Sequence, residues 1–224
     1  MPEISIIIPA HNEEKLISKT LSSIRDSSSK NYEIIVVCDS CSDNTFKISK
    51  KYAKKVFNVN FKNTPRSRNY GAKVAKGKIL IFLDADTTIS QNYLKSIKEA
   101  VKNGAEYGTG KWKSETGSFF GKYWAWGNNY ANKRDSTVSG NFFVLKKAFD
   151  ELNGFDVKMK KGEDTDLGGR LRENGRNYSF IESMYYVPSE RRYGKGKILF
   201  WINAIFESWL YKLNKKGYKR RFSN

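Results

Sequence analysis

Three continuous apolar runs give the first half of the chain a pattern of alternating strands and helices. The runs cover Ile4–Ile8, Glu33–Val37 and Ile79–Leu83. Because polar residues do not alternate with the apolar ones, the runs are typical of parallel strands that are buried on both faces. Between the first two runs, the spacing of Leu16, Thr20, Leu21 and Ile24 predicts a helix. This order of elements predicts an α/β sheet with right-handed crossover connections.

Further segments extend the same pattern along the chain. The stretch SDNTFKISKKYAKK follows the second run, and the stretch PRSRNYGAKVAKG ends at Gly77. Both stretches predict helices. In the second half, Phe142–Leu145 predicts a strand, while Lys146–Leu152 and Thr165–Glu173 predict short helices. We therefore expect a single α/β domain with a mostly parallel central sheet flanked by helices.

The composition fits one packed domain without a membrane span. Of the 224 residues, 39% are hydrophobic and 29% are charged, which suffices for a packed core. No stretch approaches the roughly 20 apolar residues that cross a bilayer, and the N-terminus lacks the basic start of a signal peptide. We expect a cytoplasmic protein, or one that lies on the inner face of the cell membrane.

The net charge of +18 predicts an anionic partner, such as a phosphorylated small molecule, a membrane surface or a nucleic acid. Residues 191–224 form a basic C-terminal segment. One helical stripe in it contains Ile198, Ile202, Ile205, Trp209 and Leu213, and the sequence NKKGYKRR follows. Such an amphipathic helix is typical of membrane-surface contact, here over residues 198–221, but packing of the stripe on the domain or on a dimer partner is an equal alternative.

Two cysteines, Cys38 and Cys41, have C-x-x-C spacing. They are either a redox pair or two incidental thiols near a loop. Since His11 is the only histidine of the sequence, the cysteines cannot complete a Cys/His zinc site without acids. The incidental interpretation is the better one, because a redox pair leaves the acidic loops of the chain unexplained.

Acidic residues follow three of the predicted strands. The loops PAHNEE, CDSCSDN and DADTT lie where strands end, and ligands of open α/β sheets bind beyond the carboxyl ends of the strands. Asp84 and Asp86 are two residues apart on an extended segment, so their side chains point the same way. Two such carboxylates repel unless a cation binds, and oxygen ligands favour Mg²⁺ or Mn²⁺. A D-x-D pair also occurs by chance on loops, so spacing alone does not establish a metal site.

Arginines and further acids supply other candidates, each with a structural alternative. Asp39 can hold a ribose or base, or it can cap a turn. Arg66 and Arg68 can offset the charge of a diphosphate or lie in solvent. Arg191 and Arg192 can grip an anion or belong to an ordinary basic turn.

Two segments of the second half are equally open to interpretation. The acids of GEDTD, residues 162–166, can provide a general base, or they can cap a helix and interact with its dipole. The aromatic residues from Phe119 to Tyr130 can shape an acceptor pocket, touch lipid or pack in the core.

The ordered set of motifs resembles family 2 of the nucleotide-sugar glycosyltransferases. The motifs are SIIIPAHNEE, EIIVVCDSCSDNT, RSRNYGAKVAKGKILIFLDADT, SGNFFVLKKAFDELNGFD and GEDTDLGGRL, within residues 3–175. The resemblance implies a GT-A (Rossmann-like) domain over residues 1–190, with a nucleotide-binding part at 1–110 and an acceptor-binding part at 111–190. It implies an inverting enzyme that moves a sugar from a UDP- or GDP-sugar to a glycan or polyprenyl-type lipid acceptor, at a hydroxyl or a lipid phosphate.

The resemblance also assigns roles to individual residues. Donor binding is expected from Pro9, Ala10, His11, Asn12, Glu13, Asp39, Arg68, Asp84, Ala85, Asp86, Arg191 and Arg192. Acceptor binding is expected from Gly140, Asn141, Glu163 and Trp124. Asp84 and Asp86 match the D-x-D motif and are expected to bind Mn²⁺ or Mg²⁺, with Asp86 as the more direct ligand, and Asp164 matches the catalytic base. The chain departs from the family pattern at Cys38, where members commonly carry an acid, so this motif does not fix the base of the donor.

Two other functional classes share some of these features. A nucleotidyltransferase also combines an α/β fold with acids and a divalent ion, but the N-terminal region lacks the Gly-rich, Arg-bearing phosphate loop of such enzymes. A non-catalytic module that binds membranes or nucleic acid would explain the basic charge. The three acidic loops argue against a phosphate-rich polymer in the cleft, so no nucleic-acid partner is expected.

Overall fold

The computed structural model describes residues 1–159 and 161–192. Eight strands in this part of the chain form one sheet. The strands are β1 (Ile4–Ala10), β2 (Tyr32–Asp39), β3 (Lys55–Val59), β4 (Ile79–Phe82), β5 (Thr87–Ile89), β6 (Tyr107–Trp112), β7 (Phe142–Leu145) and β8 (Tyr178–Pro188). The helices are α1 (Ile17–Arg25), α2 (Thr45–Ser49), α3 (Thr64–Val74), α4 (Tyr93–Lys102), α5 (Phe119–Asp135), α6 (Lys146–Glu151) and α7 (Glu163–Glu173). A 3₁₀ turn at Glu190–Arg192 follows β8.

The sheet has a parallel half and a mixed half. Its strand order is β3-β2-β1-β4-β7-β6-β8-β5. The first four strands in this order, from β3 to β4, are parallel, as the continuous apolar runs predict. Strand β7 is antiparallel to β4 and β6, whereas β8 is parallel to β6 and antiparallel to β5. The loops after β1, β2 and β4 therefore emerge at one edge of the sheet.

Apolar side chains pack on both faces of the sheet. On one face, Ile6 and Ile8 of β1 belong to a core that includes residues of α1 and α4. On the other face, Ile7 belongs to a core with residues of α3, α6 and α7. Gly71 lets α3 approach this face closely, since a Cβ there would lie 2.4 Å from Cγ2 of Ile7. This close packing holds α3, which carries Arg68, against the sheet.

The predicted elements of the first half are confirmed as β1, β2, β4, α1, α2 and α3. The downstream strand and both short helices are confirmed as β7, α6 and α7. The sequence pattern did not reveal β3, β5, β6, β8, α4 or α5. Strand β6 lacks an apolar run because Gly108 and Gly110 allow β8 to lie close: a Cβ on Gly108 would be 2.0 Å from the carbonyl oxygen of Ser179.

None of the helices within the described residues combines the length and hydropathy that crossing a bilayer requires. The predicted amphipathic helix of the basic C-terminal segment falls in residues 193–224, outside the described part of the chain.

Candidate active site

A cleft of about 1010 Å³ opens at the sheet edge where β1, β2 and β4 end. This volume suits a nucleotide with a sugar attached. Most of the predicted site residues line it: Pro9, Ala10, His11, Glu13, Asp39, Arg68, Asp84, Ala85, Asp86, Trp124, Gly140, Asn141, Glu163 and Asp164. The three acidic loops thus meet as predicted, while the chemical roles of their residues stay predictions.

Three predicted donor-binding residues stand apart from the cleft wall. Asn12 has a φ of +53°, and its Oδ1 accepts a hydrogen bond from the backbone N–H of Ser42 at 2.8 Å, so it braces the loop after β2. Arg191 does not line the wall but reaches two acids that do. The side chain of Arg192 lies outside the described part of the structure.

The turn that carries Asp84 and Asp86 is fixed through its backbone. The N–H of Asp84 donates to Oδ1 of the buried Asn141 at 2.8 Å. The carbonyl oxygen of Ala85 accepts from the Thr20 hydroxyl at 2.8 Å, and that of Asp86 accepts from the N–H of Ser189 at 3.0 Å. Contacts to the residue before β7, to α1 and to the residue after β8 therefore hold the turn, and Asn141 supports Asp84 in addition to lining the cleft.

Arg68 pairs with two acids of the cleft. Its guanidinium lies 2.9 Å from Oδ1 of Asp84 and 2.6 Å from Oε1 of Glu163, and only 4% of its side chain is exposed. Burial disfavours the charged form, but the neighbouring carboxylates outweigh it and raise the pKa of Arg68. Burial raises the pKa of Glu163, and the Arg68 cation offsets this only in part. Arg68 thus joins α3 to the D-x-D turn and to α7.

Arg191 forms a second link between a cation and two acids. Its Nη2 bonds Oε1 of Glu13 and lies 3.3 Å from Oδ2 of Asp86. The side chains of Glu13 and Asp86 are 9% and 11% exposed. The other oxygen of Glu13, Oε2, is buried without a hydrogen-bond partner. Each acid of the D-x-D motif therefore has its own arginine neighbour.

The carboxylate of Asp39 is saturated with hydrogen bonds. Its donors are the hydroxyls of Ser40 and Ser67 and the backbone N–H groups of Phe61, Lys62 and Asn63, at 2.7 to 3.0 Å. Burial alone would raise the pKa of Asp39, but these hydrogen bonds outweigh burial and hold the pKa below its ordinary value. Asp39 therefore fixes the loop before α3, and its direct contact with a nucleoside stays a prediction.

We expect Asp39→Asn to lower the free energy of unfolding at pH 7 by about 2 kcal/mol, because an amide offers one acceptor oxygen to five donors. The Asp39 pKa is lower in the folded state than in the unfolded state. Its stabilisation is therefore complete above about pH 4 and is lost as the pH falls through the folded-state pKa. Chemical denaturation at pH 7 and at about pH 3 should show the gap between wild type and variant shrinking. The exposed Asp150→Asn is the control, and an equal gap at both pH values would contradict the assignment.

Asp164 and Asp84 lie on either side of the Gly140 backbone. Oδ2 of Asp164 accepts from the N–H of Gly140, and Oδ1 accepts from the N–H of Thr165 at 2.8 Å. Gly140 has a φ of +68°, and a Cβ there would lie 3.0 Å from Oδ2 of Asp84. Glycine adopts this conformation without the steric cost that a Cβ brings. Gly162 occupies the N-cap of α7, so the acids of GEDTD lie in the first turn and none of them caps the helix.

Several residues that line the acceptor side of the cleft lie outside the predicted site. Trp112 at the end of β6, Asn128 of α5 and Tyr186 of β8 also line it. The rings of Trp112 and Tyr186 stack with centroids 6.5 Å apart. No motif joins these residues; Trp112 and Tyr186 are aromatic residues near the ends of their strands, and Asn128 has no such local indication.

Both cysteines are free. Burial, reinforced by the neighbouring Cys41, raises the pKa of the Cys38 thiol to about 12, and burial also raises the pKa of Cys41. Since the thiolate is the reactive form, these values disfavour the redox interpretation.

The acids of the cleft supply only part of the ligand set of a divalent ion. Among the described residues, no group of three or more His, Cys, Asp or Glu side chains could hold a metal. Asp84 and Asp86 provide two carboxylates, and Mg²⁺ or Mn²⁺ commonly completes such a set with water and substrate phosphate oxygens. The donor set is therefore compatible with a metal bound together with a diphosphate.

Comparisons with known proteins show what the chain is similar to. Residues 5–156 match the family model of glycosyl transferase family 2. A curated relative, the GalNAc(5)-diNAcBac-PP-undecaprenol beta-1,3-glucosyltransferase of Campylobacter jejuni, is 29% identical over 180 residues, which cover 74% of this chain.

Two solved structures show the same fold. S. aureus TarS in complex with UDP-GlcNAc matches with a TM-score of 0.70 at 22% identity over 85% of this chain. The mannosyltransferase PcManGT from Pyrobaculum calidifontis, in complex with GDP-Man and Mn²⁺, matches with a TM-score of 0.73 at 17% identity over 89% of this chain. The chain spans 58% of the length of the C. jejuni protein and 59% of each solved chain.

Proposed function

The chain belongs to glycosyl transferase family 2 and has the GT-A fold, and from that premise we propose that it is a metal-dependent inverting glycosyltransferase. It transfers a sugar from a UDP- or GDP-sugar to a lipid-linked or glycan acceptor, at a hydroxyl or a lipid phosphate. The observation that carries the proposal is that Asp84, Asp86 and Asp164 line the same cleft at the carboxyl ends of β1, β2 and β4.

The donor is proposed to lie against the ends of β1 and β2, in the part of the domain formed by residues 1–110. Nδ1 of His11 lies 2.7 Å from the carbonyl oxygen of Asp39, which keeps the imidazole at this wall of the cleft. Oε2 of Glu13 is buried without a partner, so a ligand hydroxyl or N–H would gain a hydrogen bond there. TarS binds UDP-GlcNAc and PcManGT binds GDP-Man, which supports a nucleotide sugar and leaves both bases open.

The acceptor is proposed to enter over residues 111–190. Gly140, Asn141, Glu163 and Trp124 line this side of the cleft. The C. jejuni relative is named for an acceptor linked to undecaprenol through a diphosphate, which supports a lipid-linked acceptor here. The basic residues 191–224 would then hold the enzyme at the inner face of the cell membrane, near such an acceptor.

Asp164 is proposed as the general base for a hydroxyl acceptor. The N–H groups of Gly140 and Thr165 hold its carboxylate in the cleft wall. The acceptor oxygen bonds to the anomeric carbon while the bond from that carbon to the diphosphate oxygen breaks, and the diphosphate leaves with the electron pair. The hydroxyl proton passes to Asp164. This single displacement inverts the anomeric centre without a covalent enzyme intermediate.

Asp84 and Asp86 are the residues that would hold Mn²⁺ or Mg²⁺. When bound, the ion supplies positive charge that stabilises the departing diphosphate. Arg191 now pairs with Glu13 and Asp86, and a diphosphate would offer its guanidinium a new anionic partner. Arg68 is committed to Asp84 and Glu163, so it orients the acids and limits their mutual repulsion.

The proposed function is tested with UDP-, GDP- and dTDP-sugars, each with and without Mn²⁺. One donor class should raise the unfolding temperature by several degrees at saturating concentration, and only with the ion. The same donor should release nucleoside diphosphate in the presence of a polyprenyl-linked acceptor. Release of pyrophosphate would instead indicate a nucleotidyltransferase, and the absence of binding by every donor would overturn the proposal.

A further inference from the structure

Helix α5 has most of its aromatic side chains on the outside. Four of them recur at i, i+4, i+7 and i+11, namely Phe119 (78% exposed), Tyr123 (51%), Trp126 (62%) and Tyr130 (54%). We call these four residues the aromatic stripe. The buried positions of α5 are Gly121, Ala125 and Asn132, which are small or polar. A helix on a water-exposed domain normally buries its large apolar side chains, so this helix has the opposite arrangement.

Three rings of the aromatic stripe lie next to one another. The ring of Trp126 stacks on that of Tyr130 at 5.9 Å between centroids and lies 6.0 Å from that of Tyr123. Among the described residues, the exposed large hydrophobic side chains outside α5 are Met1 and Val157 alone. Exposed apolar area is therefore concentrated on one helix, which indicates contact with another apolar phase.

We propose that the aromatic stripe is a membrane-binding surface that rests in the interfacial region of an anionic bilayer. Trp and Tyr favour this region because they combine an apolar ring with a polar group. The exposed cations of α5 are Lys122, Lys133 and Arg134, and its one acid is Asp135. Lys133 pairs with Glu182 and Arg134 pairs with Asp135, so Lys122 adds positive charge beside the stripe that an anionic headgroup can match.

Charge disfavours the other occupants of this surface. A second copy would bring two chains of net charge +18 together. Residues 193–224 of the same chain carry eight Lys or Arg and one Glu, so they would place further cations beside Lys122. An anionic bilayer is the occupant that matches the sign of the charge.

The position of α5 connects this surface to the cleft. Trp124 and Asn128 of the same helix line the cleft, and a helix with its side chains is about 10 Å across. An acceptor whose lipid remains in the bilayer would therefore reach the cleft by passing around one helix. This step rests on the proposed function, whereas binding of the stripe to a bilayer does not.

The test is flotation of the full chain with vesicles of phosphatidylcholine and phosphatidylglycerol, without donor or acceptor. We expect Tyr123→Ser combined with Trp126→Ser to lower the partition coefficient at least about tenfold. Val157→Ser, which removes an exposed apolar side chain outside α5, should leave it unchanged. Lys122→Glu should weaken binding about tenfold on these vesicles and little on phosphatidylcholine alone, and Lys147→Glu on α6 is its control. Thermal unfolding checks that each variant is folded.

Two results would overturn the inference. The first is an unchanged partition coefficient for the double variant. If that variant also turns a dimer into a monomer, the stripe is a contact between two copies and not a membrane surface. We expect a polar maleimide to label Trp126→Cys rapidly in buffer and slowly once vesicles are added. The second overturning result is slow labelling in buffer, because the surface would then already be covered by protein. Release of nucleoside diphosphate in solution is measured separately, so failure of the proposed function and failure of membrane binding are distinguishable.

Discussion

Asp164→Asn is expected to lower the turnover number about 10²- to 10⁴-fold, with little change in the KM of the donor. The amide keeps the shape of the carboxylate and can still accept the N–H of Gly140, but it cannot take up a proton. The rate of nucleoside diphosphate release with a hydroxyl acceptor measures this loss. The loss should persist across the pH range, because the variant has no titrating group at this position.

Asp166→Asn is the matched control for this variant. Asp166 lies on the same helix and pairs with Arg170 at 2.7 Å, away from the residues that line the cleft. Its substitution should cost about 0.5 kcal/mol of stability and leave turnover within about twofold of wild type. Full turnover of Asp164→Asn on a hydroxyl acceptor would contradict its role as base. If Asp164→Asn keeps full turnover only with a phosphate acceptor, the natural acceptor is a phosphate, because a phosphate oxygen needs no base.

The parallel half of the fold follows from the sequence because its physics is local. A strand that is covered on both faces is largely apolar, and β1, β2 and β4 show this as nearly continuous apolar runs. The mixed half lacks such a pattern. Strand β8 includes Glu182 and Ser183, which are exposed, and β6 uses glycines where β8 approaches. Only tertiary contact explains these residues, so periodicity did not reveal them.

The same distinction separates the site residues that sequence analysis found from those it missed. Asp84, Asp86 and Asp164 belong to contiguous motifs with recognisable spacing. Trp112 and Tyr186 reach the cleft because two strands far apart in sequence pair, and a register shift after Gly110 places Trp112 opposite Tyr186. A motif also does not show which hydrogen bonds a side chain makes. Only the structure shows that backbone N–H groups of the loop before α3 donate to the Asp39 carboxylate.

The arginines of the site illustrate long-range contacts that spacing cannot supply. Arg191 reaches Glu13 across 178 positions of the sequence, and Arg68 reaches Glu163 across 95. Each arginine also pairs with one acid of the D-x-D motif. Without donor, the two carboxylates are therefore balanced by protein cations. An ion that binds Asp86 must compete with Arg191. Substitution of either residue should therefore change the affinity for the ion.

Asp86→Asn is expected to lower turnover about 10²- to 10³-fold, because the amide no longer attracts a divalent ion that stabilises the departing diphosphate. The same variant should weaken binding of Mn²⁺ in the presence of nucleoside diphosphate, which titration calorimetry measures independently of turnover. Its fold should be retained, since the backbone contact of Asp86 with Ser189 does not involve the carboxylate.

Arg191→Ala provides the contrasting measurement, because it removes a competing cation and keeps the carboxylate. Without nucleotide, this variant should bind Mn²⁺ about 3- to 10-fold more tightly than wild type, as expected for the loss of a partly exposed ion pair. Its turnover should nevertheless fall, since the diphosphate loses a cationic partner. If Asp86→Asn binds Mn²⁺ as wild type does, the ion lies elsewhere and the assignment of Asp86 is wrong. If Arg191→Ala leaves Mn²⁺ affinity unchanged, Arg191 does not compete for that carboxylate.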